Sequence, residues 1–90
     1  MNNSRRKELN KAIESLQGAE ALLNTAQEII ESCKYEEEEY RDNMPENLQG
    51  SEKYEQADNA VSELENAYDQ VDSMLSELEE AISSVETASE

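Results

Sequence analysis

Two runs of apolar residues, each spaced alternately by three and four positions, constrain this chain more than any other feature. The first run is Leu9, Ala12, Leu16, Ala19, Leu23, Ala26, Ile30, Cys33, Glu37 and Tyr40, broken only by Glu37. The second is Tyr54, Ala57, Val61, Leu64, Tyr68, Val71, Leu75, Leu78, Ile82 and Val85, without a break. Such an alternation draws one stripe along an α-helix that meets another helix over its whole length. No segment alternates with period two, so no strand is expected. Two Gly and one Pro in 90 residues are few helix breakers for a chain of this length.

The break between them is Asp42-Asn-Met-Pro-Glu-Asn-Leu-Gln-Gly-Ser51. Pro45 disfavours helix at Met44 and lacks the N–H that a continuing helix needs. Ser51 is the expected N-cap of the second helix, with Glu52 favoured at its positive end. Pro45 to Gln49 can form one short helical turn. Ser4 is the expected cap of the first helix. Helix 1 is thus predicted over about 5–42, the turn over 43–51 and helix 2 over about 52–88, as one domain. At 1.5 Å per residue each helix is roughly 55 Å long.

Pairing positions that add to 94 matches every stripe residue of one helix with one of the other, from Leu9 with Val85 to Tyr40 with Tyr54. The centre of that pairing, Asn47, falls inside the turn. Charge favours the same fold. Four of the seven bases, Arg5, Arg6, Lys7 and Lys11, open helix 1, whereas from Tyr54 onward there are eleven acids and no base. Folding back sets the basic start beside Glu77, Glu79, Glu80 and Glu86 and offsets two unfavourable helix-dipole arrangements. The fold class is therefore all-α, two long antiparallel helices forming a helical hairpin.

The apolar face is wider than one seam. Helix 2 carries Ala60, Ala67, Met74, Ala81 and Ala88 in a second row, and helix 1 adds Ile13, Leu22 and Ile29. Three apolar positions per heptad suit a bundle helix better than a two-stranded coil. A homodimer forming an antiparallel four-helix bundle is expected, with a three-helix or hetero-oligomeric assembly and a partly open monomer as alternatives.

The residues needed for most catalysis are missing. There is no His, which removes Ser-His-Asp, Cys-His and the bundle di-iron pattern, and a single Cys is poor material for zinc. No phosphate-binding, dinucleotide-binding or calcium-loop motif occurs. The expectation is a non-enzymatic protein with no catalytic residue, cofactor or metal. Cys33 is expected to be a small core residue.

Candidate binding residues concentrate where acid and aromatic residues meet. Glu36, Glu37, Glu38 and Glu39 form the densest acidic run; it suits a basic protein groove or a weak Mg²⁺ or Ca²⁺ contact, and equally a solvated helix end. Glu37 lies on the seam, where it either marks a separation of the helices or meets a partner's base. Tyr35, with Met44 and Leu48, is expected to form an apolar spot at the turn, open for binding or folded over the end. Glu63, Glu65, Asp69 and Asp72 extend the acidic surface along helix 2.

A formal net charge of −16 and a mean hydropathy of −0.96 make an anionic membrane or direct nucleic acid an improbable partner. A basic protein is the better match, and a narrow acidic rod suits a channel made for nucleic acid. Such an inhibitor is one reading, although acidity also serves solubility; a structural or assembly part of a larger complex is the other. No unbroken apolar stretch follows Met1-Asn-Asn-Ser-Arg-Arg-Lys-Glu, so no export signal is expected and the cytoplasm is the expected compartment.

The order of Arg5-Arg6-Lys7-Glu8-Leu9, the acidic Glu36–Tyr40 run, the Asp42–Ser51 turn and a second acidic helix resembles small acidic helical proteins of phages and prophages of Gram-positive bacteria, over nearly the whole chain. The resemblance implies a cytoplasmic phage accessory protein in a bacterial host; the family has no settled activity, and a role against host defence is one expectation it adds. It assigns no functional residue.

Overall fold

The computed structural model describes all residues, Met1–Glu90. Helix α1 spans Asn3–Asp42 and helix α2 spans Glu52–Ala88, joined through a single 3-10 turn at Glu46–Leu48. The chain doubles back at that turn into a rod of 70 × 14 × 14 Å, two helices thick and without strands. No helix is long and apolar enough to cross a membrane.

Side chains close the helix starts. Ser51 accepts the Tyr54 N–H at 3.3 Å, the capping contact expected of it. At the other start Asn2, not Ser4, is the cap: its Oδ1 accepts the Arg5 N–H at 2.8 Å, so α1 begins at Asn3 and Ser4 lies within its first turn. Asn and Ser cap about equally well, so local sequence does not separate them. Gly50, at φ +86°, takes the one left-handed step that turns the chain into α2.

The rod has very little interior. Only Ala57, Val61 and Ile82, all on α2, are buried; most other stripe residues are half-covered. Two helices can shield only a stripe of one another, and hydrophobic stabilisation follows the area removed from water. All ten residues of the α2 stripe are buried or half-buried. The α1 stripe holds from Leu9 to Ile30 and then rotates.

Beyond Ile30 two expectations are overturned. Cys33 is exposed and Tyr40 is 52% exposed, while Lys34 and Arg41 take their places at the seam. A straight helix drifts about 20° per heptad from a strict seven-residue repeat. Over four heptads that approaches the 100° or so between neighbouring residues, enough to bring in the next position along. The aliphatic stems of Lys34 and Arg41 cover the seam while their charges reach its edge. Glu37 stays half-buried on the seam.

Cross-helix contacts define the register. Gln27 Nε2 donates to the Tyr68 carbonyl and to Asp72 Oδ1, both at 3.3 Å, and Arg41 Nη1 donates to Asp58 Oδ1 at 2.8 Å. These pairs add to between 95 and 99. The two side-chain pairs at 99 lie beside the seam, where the register that pairs the stripe at 94 gives 99.

The basic start does lie against the end of α2, by a contact other than the one expected. Arg6 donates to the carbonyl of Ser89 at 3.1 Å and to that of Glu90 at 3.4 Å. It therefore meets the unpaired carbonyls of the helix end. None of Glu77, Glu79, Glu80 and Glu86 forms an ion pair, and Lys11 pairs within its own helix with Glu8 at 3.1 Å.

Candidate functional site

Two long flanks run beside the seam, and they differ in chemistry. On one, Gln27 and Arg41 of α1 reach Asp72 and Asp58 of α2. Heptad spacing puts Ile13 and Lys34 on the same flank of α1 and Glu65 on that of α2. Arg41 is the best-held cation: Nε contacts Asp42 at 3.0 Å and Nη1 contacts Asp58. Its pKa lies above the ordinary guanidinium value, chiefly through the Asp42 hydrogen bond, against a smaller opposing effect of burial and with Asp58 adding to the rise. Tyr68 opens here too. Its phenol is pushed up by the charge of Glu31, then by burial, with smaller contributions from Asp72 and Tyr35.

Tyr35 therefore belongs to this polar flank, which corrects the expectation that it joins Met44 and Leu48 at the turn. It is exposed there, with Lys34 Nζ 4.8 Å from its ring centre. Five positions separate it from Tyr40, which rotates it well away from the turn's cleft.

The opposite flank is apolar and uncovered. Leu22 and Ile29 of α1 are 74% and 59% exposed and Met74 of α2 is 47% exposed. In an antiparallel pair the residues just before the seam on one helix share a side with those just before it on the other. Leu22 and Ile29 consequently share a flank with Ala60, Ala67, Met74 and Ala81. Ile13, grouped with them by sequence, sits half-buried on the other side.

At the turn this flank deepens into an open cleft of about 810 Å³. Tyr40, Met44, Pro45 and Leu48 supply its apolar wall, and Glu36, Glu39, Glu52 and Lys53 its charged rim. Met44, Leu48, Glu36 and Glu39 thus meet, with Tyr40 where Tyr35 was expected. Glu37 and Glu38 turn toward the seam and are half-buried. Among the helix 2 acids, Asp72 is held by Gln27; Glu65 and Asp69 share its side of the helix, and Glu63 lies toward the apolar flank.

Sequence reasoning missed Tyr40, Lys53 and the Arg41–Asp58 pair as surface features. The pair was findable: Gln27–Asp72 and Arg41–Asp58 both add to 99, the spacing of one flank of the predicted register. No three Cys, Asp or Glu side chains converge in a way that could hold a metal ion. No family model, curated protein or solved structure matches the chain.

Proposed function

We propose that this chain is a non-enzymatic, acidic protein-interaction module that works as a homodimeric four-helix bundle. Its target in this reading is a basic protein surface that ordinarily receives nucleic acid, as in a nuclease, a restriction system or a repressor. The observation that carries the reading is a charge of −16 spread along a 70 Å rod.

Duplex DNA bears one negative charge per about 1.7 Å of axis, and one of its strands one per about 3.4 Å. One hairpin carries about one net charge per 4.4 Å. Two hairpins side by side carry about one per 2.2 Å on a body two rods wide. Dimerisation therefore brings the linear charge close to that of a duplex, and field strength is what steers a basic groove to its ligand.

The second reading is an assembly part that docks through its tip, favoured by the apolar cleft of Tyr40, Met44 and Leu48. Affinity capture from bacterial lysate separates the two. A nuclease or DNA-binding protein released by duplex DNA supports mimicry; virion or replication components retained in the presence of DNA support the assembly role and reject mimicry.

A further inference from the structure

The apolar flank has no partner within the hairpin, and its position, charge and symmetry say what would cover it. We infer that it is the seat of a second copy of this chain, packed antiparallel so that the tip of each rod lies over the open end of the other. This rests on the dimeric reading above and adds its face and direction.

Area is the first argument. The hairpin exposes 6531 Å², whereas a compact monomer of 10.2 kDa exposes about 5,300 Å². The excess is of the order that one partner buries in a standard interface, about 800 Å². Leu22, Ile29 and Met74 are the large apolar side chains exposed along the middle of the flank, where the anchors of an interface belong.

Symmetry is the second. A two-fold axis across the middle of the rod stacks α1 on the partner's α1 and α2 on the partner's α2, each pair antiparallel. The middle of α1, measured from its start at Asn3 to the turn at Asn47, lies near residue 25. Leu22 and Ile29 straddle that level, so each falls opposite the other's counterpart. Ala67 and Met74 do the same on α2, small against large.

Charge sets the direction. The tip, from Glu31 to Asp58, has ten acids against three bases, net −7. The open end, residues 1–14 with 77–90, has seven acids against four bases, net −3. A parallel dimer stacks tip on tip and acid on acid. The antiparallel dimer brings Lys11 of each chain level with the partner's Glu39 and closes each tip cleft with the other chain's basic end. Like charges set opposite one another select against the wrong arrangement.

Gly18 and Cys33 supply the test, because the same axis places each opposite the other across the interface. Along one helix they are roughly 22 Å apart, too far to be joined within a chain, and a Cβ at Gly18 meets nothing within 4 Å. Gly18→Cys, with native Cys33, should be converted by a short bismaleimide almost wholly to a covalent dimer, while the unaltered chain is not. Spin labels on Asn47→Cys, with Cys33→Ser, should lie roughly 60 Å apart, close to the rod's 70 Å length. Leu22→Glu and Met74→Glu should each weaken the dimer about thirtyfold or more with helicity kept. Tip labels within about 20 Å, or sedimentation at the mass of one chain at tens of micromolar, overturn the inference. A monomer that still competes with duplex DNA for a basic protein ends this inference while leaving the binding role standing.

Discussion

Arg41, at the last turn of α1, donates to Asp58 in the second turn of α2 at 2.8 Å, seventeen residues further along the chain. The contact spans the turn and ties the two helices where the α1 stripe has rotated off its expected residues. Tyr40, the neighbour that the stripe predicted for the seam, is thereby left to line the cleft on the other flank. One rotation of α1 thus decides which side of the tip is tied and which stays open.

Arg41→Ala should nevertheless cost little. Asp58 is more than half exposed and the pair is screened by water and salt. A loss of about 0–1 kcal/mol in urea melts is expected; a larger one would show that Arg41's stem, which is mostly covered, carries packing of its own.

The few buried positions should be the costly ones. Ile82→Ala should remove roughly 2–5 kcal/mol, enough to unfold much of the population of so thin a rod. Leu23→Asp and Val71→Asp on the seam should abolish cooperative melting, whereas Glu65→Lys, exposed on the polar flank, should shift the midpoint only slightly. Circular dichroism melts distinguish the two classes.

Capping gives a sharper contrast between neighbours. Asn2→Ala should cost about 1 kcal/mol because it frees the Arg5 N–H, and Ser4→Ala should cost next to nothing. Equal losses in thermal melts would return the cap to Ser4.

Alkaline pH tests the Tyr68 environment. A phenol raised above its ordinary value of 10.0 stabilises the folded chain fully below that pH. The contribution fades as pH rises through the folded value, because the unfolded chain then ionises more readily. The stability difference between the unaltered chain and Tyr68→Phe should be flat up to about pH 10 and move in favour of Phe above it. A difference curve that stays flat past pH 11 contradicts the proximity of Glu31 and Tyr68.

Much of this architecture was legible in the residues. The stripes, Pro45 in the break and Ser51 before Glu52 led directly to a hairpin with its turn around Asn47, because heptad spacing and cap chemistry are local properties. The site was less legible. Glu36, Glu39, Met44 and Leu48 do meet, but Tyr35 lies on the opposite flank and Cys33 is outside the seam. The Cys33 error comes from a strict seven-residue repeat carried through to the end of a helix that does not keep it; Tyr35 was grouped with the turn by nearness in sequence, although five positions from Tyr40 rotate it to another side of the helix.

The sequence by itself determined a two-helix rod, its turn and its acidity, since periodicity, breakers and charge are counted residue by residue. Only the tertiary structure decided how far α1 is rotated about its own axis at the tip. A heptad stripe leaves neighbouring positions such as Cys33 and Lys34 in competition for the seam. Packing along all of α1 and α2 settles it, and with it which flank is tied by Arg41 and Gln27 and which presents Leu22, Ile29 and Met74.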